Sequence, residues 1–185
     1  MQKNVLVPIA DGTEEIEAVC IIDTLRRADI DVTIASVSQL EIIASRGLKI
    51  IADTTIDQCV NKIYDMIVLP GGMPGSANLA QCEPLIAMLH EQKRAGRLTA
   101  AICAAPAAVL QAHGLLVNIK ATCYPSMQDQ LDSKYRLDDA VVYDKNYITA
   151  QGPGFALKFS LELVDYLVGH EKMQSIAGAM LVNMP

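Results

Sequence analysis

No run of apolar residues in this 185-residue chain approaches the ~18–20 needed to span a bilayer, although 51% of the residues are hydrophobic. No membrane partner is therefore expected. Positive charge does not cluster either: 15 Lys and Arg stand against 21 Asp and Glu, a net charge of −6. A nucleic-acid binder normally carries a basic face, so direct nucleic-acid binding is not expected. The densest basic stretch, Lys93-Arg94-Ala-Gly-Arg97, falls at a predicted helix end, where cations complement the dipole. There is no CxxC pair. The five cysteines, Cys20, Cys59, Cys82, Cys103 and Cys123, are an odd number whose spacing fits neither a disulfide framework nor a zinc site. They read as reduced thiols in a reducing compartment, and a cytoplasmic location is expected. The N-terminus has one basic residue, Lys3, and no small-residue cleavage site, so it reads as a first strand and not a signal peptide. Internal repeats, low-complexity segments and linkers are also missing, so residues 1–185 are expected to form one domain.

What is present is an alternation. Short β-rich apolar runs at 4–10, 31–36, 65–70 and 98–102 alternate with helical patterns at 14–28, 84–95 and onward from 104. A short β excursion is predicted over 41–45 and 48–52, and a hairpin over 141–149 turning at Lys145-Asn146. Two helices, 155–168 and 171–181, close the pattern, separated by Gly169. Near-continuous apolar strands alternating with helices indicate an α/β fold, a mostly parallel sheet with helices on both faces. Ligands in such sheets bind beyond the carboxyl ends of the strands. That places interest on the loops at 10–13, 70–76, 102–106 and 151–154.

Ala101-Ile-Cys-Ala-Ala-Pro106 is the sharpest of these. A strand ends, one residue takes the turn and a helix follows, the arrangement of a nucleophile elbow with small neighbours. Unpaired amides and the positive end of the helix dipole favour a thiolate there, and the thiol pKa is expected to fall. The other reading of Cys103 is a buried core cysteine. Leu69-Pro-Gly-Gly72 follows a central strand, and its glycines allow backbone amides to face a ligand. With the Ala104 amide they can form an oxyanion hole, or simply a turn. In Asp11-Gly-Thr-Glu-Glu-Ile-Glu17, Glu14 and Glu15 suit a first helical turn. Glu17 differs, because its line along the helix runs through Ile21, Thr24 and Ala28. Turned inward, its carboxyl has a raised pKa and can transfer a proton; turned outward, it is an ordinary solvated glutamate.

Five motifs then occur in order: Gly-x-Glu-Glu-x-Glu, Ser45-Arg46-Gly47, Leu-Pro-Gly-Gly, Ala-Ile-Cys-Ala-x-Pro and Gln151-Gly-Pro-Gly154. Together they span the chain, which resembles the ThiJ/PfpI superfamily, in the branch of the Parkinson-disease protein DJ-one and the bacterial YajL-type proteins. The resemblance implies a flavodoxin-like three-layer sandwich, of the class I glutamine-amidotransferase-like kind, and a homodimer. It further implies that Cys103 is the low-pKa cysteine that oxidises to the sulfinate, and that Glu17 is the protonated glutamate bonded to its sulfur. Gly71, Gly72 and Ala104 match the backbone pocket, and Arg46 the arginine near pocket and dimer interface.

One position departs from the pattern. Relatives carry histidine before the proline of Lys-x-Thr-x-x-Pro, where this chain has Tyr124 in Lys120-Ala-Thr-Cys-Tyr-Pro125. A phenol, with a reference pKa of ~10, is a poor general base near neutrality, so Tyr124 is expected to line the substrate pocket and not to act as a base. His90, His113 and His170 read as structural. Superfamily proteases carry histidine directly after the cysteine, where this chain has Ala104, so a protease is not expected. Cys123 reads as a core or interface cysteine, or as a resolving thiol if it lies near Cys103. The expected function is a cysteine-dependent glyoxalase or protein deglycase acting on methylglyoxal, glyoxal or their early adducts, with no metal or organic cofactor. The alternative is a redox-sensing stress protein or chaperone whose active event is oxidation of Cys103. The thiamine label attached to relatives finds no support in a chain without a P-loop or basic phosphate cluster.

Overall fold

Period-two alternation in an almost wholly apolar strand decides the layering. In β1 (Asn4–Ile9), Val5, Val7 and Ile9 pack into one buried cluster and Leu6 into a second on the opposite face. Such a strand is stable only when both faces are covered. The same holds for the neighbouring β2 (Asp31–Ser36). A small hairpin, β3 (Glu41–Ile43) and β4 (Lys49–Ile51), follows, then β5 (Thr54–Thr55), β6 (Met66–Leu69), β7 (Leu98–Ile102), β8 (Val141–Asp144) and β9 (Tyr147–Ala150). The computed structural model describes residues 2–183.

Seven strands form one sheet in the order β5-β2-β1-β6-β7-β9-β8, parallel throughout except for the β8–β9 hairpin at one edge. Within it, β2-β1-β6-β7-β9 is the flavodoxin-like order, with the chain reversing its direction of winding between β1 and β6. β3 and β4 pair antiparallel as a separate two-stranded sheet.

One face is covered by α1 (Glu15–Arg27), α4 (Ala156–Val168) and α5 (His170–Ala179), through Ile21, Leu25, Phe159, Val164 and Met173. The other is covered by α2 (Gly75–Ala80), α3 (Glu83–Arg94) and a π-helical turn, Pro106–Gln111, through Leu79, Leu85, Leu89, Val109 and Leu110. The three-layer α/β architecture expected from the sequence is the one observed. Among the described residues no helix is long and apolar enough to cross a membrane.

Two local departures bear on the site. The loop expected over 70–76 runs into α2, a helix of 6 residues whose single large buried side chain, Leu79, leaves too little pattern to read. The helix expected from residue 104 begins instead as a wide turn. Pro106 has no amide proton to donate, and the segment carries an i→i−5 bond from Ala112 N to Ala107 O at 3.3 Å.

Candidate active site

The reversal between β1 and β6 opens a crevice at the carboxyl edge of the sheet. The chain leaves β1 for the α1 face and β6 for the α2 face, and the two exit loops meet backbone to backbone. Glu14 N–H donates to Gly71 O at 2.9 Å. Gly72, at φ 91°, has no room for a side chain: a Cβ would lie 2.5 Å from Glu14 N and from Gly12 O. A Cβ on Gly71 would lie 2.6 Å from the Cβ of Cys103. These two glycines bring the α1 entrance and the end of β7 into contact.

Cys103 sits in the turn after β7 with φ 64°, a left-handed conformation that costs a residue with a Cβ about 1–3 kcal/mol. It is held there from both sides. Its N–H donates to Ala150 O at 2.9 Å, at the end of β9, and its carbonyl accepts from Tyr124 N at 2.7 Å. The side chain is 8% exposed, and the amides of Gly72 and Ala104 hydrogen-bond its sulfur. This is the elbow expected from the sequence, with two of the three anticipated backbone donors in place. Gly71 is the exception: its N–H is taken by Glu17 Oε2 at 2.8 Å and does not face the pocket.

Glu17 is fully buried on the α1 stripe with Ile21, Thr24 and Leu25, so its carboxyl points inward. Glu14 caps the helix by accepting from Glu17 N at 2.8 Å. Glu17 Oε1 is buried without a well-formed hydrogen bond, and the neighbour acting on the carboxyl beside Gly71 is the Cys103 sulfur. Burial is the largest influence on the carboxyl and raises its pKa to about 7; the Gly71 amide and Cys103 lower it, and the charge of Glu14 raises it. The Cys103 thiol is pushed up to about 12, first by burial and then by the charge of Glu17, against the Gly72 and Ala104 amides.

That direction corrects the low thiol pKa expected from a helix dipole. The π turn after Cys103 is only 6 residues long, and burial of the sulfur, with the Glu17 carboxylate beside it, outweighs it. The two groups are coupled, since a charge on either one disfavours a charge on the other.

A cavity of about 330 Å³ opens over the sulfur. Its wall includes Cys103, Ala104, Gly72, Arg46 and Tyr124, so these predicted residues converge. Arg46 is exposed, and its guanidinium meets only Ser45 O, at 3.4 Å. It rides on the turn of the β3–β4 hairpin, which Glu15 fixes through Ser45 Oγ and Arg46 N, both at 2.8 Å. The ring of Tyr124 packs on Gly152, where an added Cβ would meet it at 3.2 Å.

Glu14, Ser45, Met73, Ser126, Met127 and Pro153 complete the wall; Met73 and Pro153 lie in two of the loops singled out from the sequence, and none of the six was named as a site residue. Their one sequence signal was adjacency to Tyr124, Arg46 and the glycine loops. No histidine lines the cavity: His113 meets Ala80 O and His170 meets Asp165. Cys123 belongs to the α3-side apolar cluster, as a core thiol, whereas Cys103 belongs to the α1-side cluster. Among the described residues no group of three or more His, Cys, Asp or Glu is placed to hold a metal ion.

Comparison with known proteins agrees with the motifs and the fold. Residues 3–166 match the model of the DJ-1/PfpI family. Protein DJ-1 homolog B of Arabidopsis thaliana is 44% identical over 180 residues, covering 97% of this chain and 41% of that protein; the chain thus spans less than half of that relative's length. A Caenorhabditis elegans protein named glutathione-independent glyoxalase DJR-1.2 is 38% identical, covering 95% of this chain and 94% of its own. The solved structure of oxidised Toxoplasma gondii DJ-1 superposes with a TM-score of 0.97 at 44% identity, covering 98% of this chain and 100% of that one. On the family match over residues 3–166 and on these relatives, the chain belongs to the DJ-1/PfpI family.

Proposed function

We propose that this protein is a cofactor-independent, cysteine-dependent glyoxalase or deglycase acting on methylglyoxal, glyoxal and their early adducts, in defence against carbonyl and oxidative stress. The observation that carries the reading is the buried Glu17 carboxyl, with an unpartnered Oε1, beside a cysteine in a left-handed elbow. Above pH 7 the pair holds one proton. When that proton sits on Glu17 Oε1, the sulfur is a thiolate held by the Gly72 and Ala104 amides. The thiolate attacks the aldehyde carbon, a C–S bond forms, and the carbonyl electron pair becomes an oxyanion that takes the Glu17 proton. Glu17, now a carboxylate, removes the proton on the former aldehyde carbon to give an enediolate and returns it to the neighbouring carbon, while the hydroxyl proton on the first carbon passes to the oxygen of the second, leaving a 2-hydroxy thioester. Water releases the resulting thioester as lactate. One carbon is oxidised and its neighbour reduced, so no external redox partner enters. The C. elegans relative named as a glutathione-independent glyoxalase supports this reading.

Tyr124 forms a wall of the site, and Arg46 supplies positive charge at its mouth. Purified protein is expected to convert methylglyoxal to lactate, and Cys103→Ser to abolish conversion while the fold is retained; full activity in that variant would sink the mechanism. A second reading, redox sensing, is favoured by the solved oxidised relative and by two amides already bonded to sulfur, which suit sulfinate oxygens. A wild type inert towards aldehydes, yet converted by peroxide to a Cys103 sulfinate, would select it.

The same proposal includes a homodimer in the cytoplasm, with residues 1–185 as one domain. Its support is an apolar face shared by α1 and the β3–β4 hairpin, where Ile16 is 55% and Ile51 70% exposed, beside Val19, Ile43 and Leu48. Backbone bonds from Gly12 N to Ile43 O and from Ser45 N to Thr13 O, both 2.8 Å, tie that hairpin to the site. Ile51→Arg is expected to give monomers by light scattering.

A further inference from the structure

Far along the sheet from Cys103, the edge strand β8 carries a tyrosine that meets another from α4. Tyr143 and Tyr166 have ring centroids 5.3 Å apart with planes inclined at 45°. Both remain open to solvent, 53% and 46% exposed. A cavity of about 200 Å³ beside them is lined by the two rings, Ile148 and Glu162. Aromatic packing accounts for the centroid distance. It does not require that both rings carry hydroxyls and stay half-exposed.

The rest of the chain sharpens the contrast. There is no tryptophan, so tyrosine is the aromatic side chain that gives up an electron most readily. Of the six tyrosines, Tyr64 and Tyr147 are buried, Tyr135 donates to Asn118 Oδ1 at 2.7 Å, and Tyr124 stands at the cavity over Cys103. Among the described residues Tyr143–Tyr166 is the one pair of aromatic rings in contact.

We propose that Tyr143 and Tyr166 form an oxidative modification site, at which a one-electron oxidant joins the two rings as an intramolecular dityrosine. Each phenol loses one electron and one proton to the oxidant, for example a peroxide-activated haem peroxidase, whose peroxide is reduced to water. The two radicals couple at the carbons ortho to the hydroxyls: one C–C bond forms, and the two ortho C–H protons shift back to restore the phenols. Ring centroids 5.3 Å apart bring the ring edges within reach of one another, and half-exposure lets an oxidant reach the rings. Glu162, whose pKa burial raises and Lys158 lowers, lines the same cavity and is suited to accept a phenol proton. The bridge would fasten β8, which pairs with β9 alone, to the helix packed beside it. Its chemistry is separate from that of Cys103, since a thiolate reacts with peroxide by a two-electron path.

The test exposes dilute full-length protein to a haem peroxidase and peroxide, then measures dityrosine fluorescence and maps tryptic peptides by mass. The expected result is a monomer lighter by two hydrogens, with the peptide of Tyr143 joined to that of Tyr166. Fluorescence falls to background in both Tyr143→Phe and Tyr166→Phe, exposed changes that leave ring packing in place. Absence of dityrosine in the wild type would overturn the proposal. So would signal that persists in both variants, or coupling found only between molecules, as through the exposed Tyr124.

Discussion

Cys103 and Cys123 are both buried, 8% and 0% exposed, and burial pushes both thiols up, to about 12 and about 11. Their surroundings otherwise share little. Cys123 has an apolar wall and one weak contact, to Tyr124 O at 3.5 Å, with Arg136 acting from a distance. Cys103 has a strained backbone, two amides on its sulfur and a buried carboxyl that shares its protons. Depth and thiol pKa therefore do not distinguish the proposed nucleophile from a core residue. A partner able to hold the proton does.

The comparison breaks most visibly in turnover. Cys103→Ser is expected to lower methylglyoxal conversion on the order of a thousandfold or more, whereas Cys123→Ser should leave it within about threefold; steady-state assays of both variants check this. The next effect is on stability. Glu17 has a raised pKa in the fold, so the folded state binds more protons than the unfolded chain between the ordinary carboxylate range and pH 7. Its stabilising contribution is complete below that range and is lost as pH rises through about 7, on the order of 3 kcal/mol. Urea titrations across pH 4–8 should show that fall in the wild type, and a flatter profile in Glu17→Gln. Gly71→Ala drives a Cβ into Cys103 and Glu17 Oε2, displacing the elbow, and is expected to reduce turnover about a hundredfold. Cys123→Ser buries a hydroxyl in an apolar cluster and should cost about 1–3 kcal/mol in the same urea titration while sparing the chemistry. The smallest effect belongs to Tyr124→Phe. If the ring is a wall and not a base, kcat stays within about twofold and the pH profile is unmoved.

Much of this arrangement is local and therefore legible in the sequence. Apolar strand runs, the inward stripe of Glu17, Ile21 and Thr24, and the strand–turn–helix around Cys103 all depend on neighbours within a few residues. The mostly parallel sheet followed from alternation, and the hairpin turned at Lys145-Asn146 as read. What could not be read depends on meetings between distant segments. Whether the Gly71 amide faces a ligand or a carboxylate is settled by α1, 54 residues away. The direction of the Cys103 pKa turned first on burial and then on the charge of Glu17, neither of which a helix-dipole argument contains. The short α2 and the π turn at Pro106 lacked the length for a periodic signal.

The central claim is that Cys103 and Glu17 share one proton around neutrality, and the pH dependence of Cys103 alkylation tests it most directly. Iodoacetamide labelling, read by intact mass with Cys123 as internal control, should accelerate at Cys103 as pH rises through about 7 and then level off. That step should vanish in Glu17→Gln. Labelling that rises only in strongly alkaline solution, equally at both cysteines and unchanged by Glu17→Gln, would contradict the claim and make Cys103 a second core thiol.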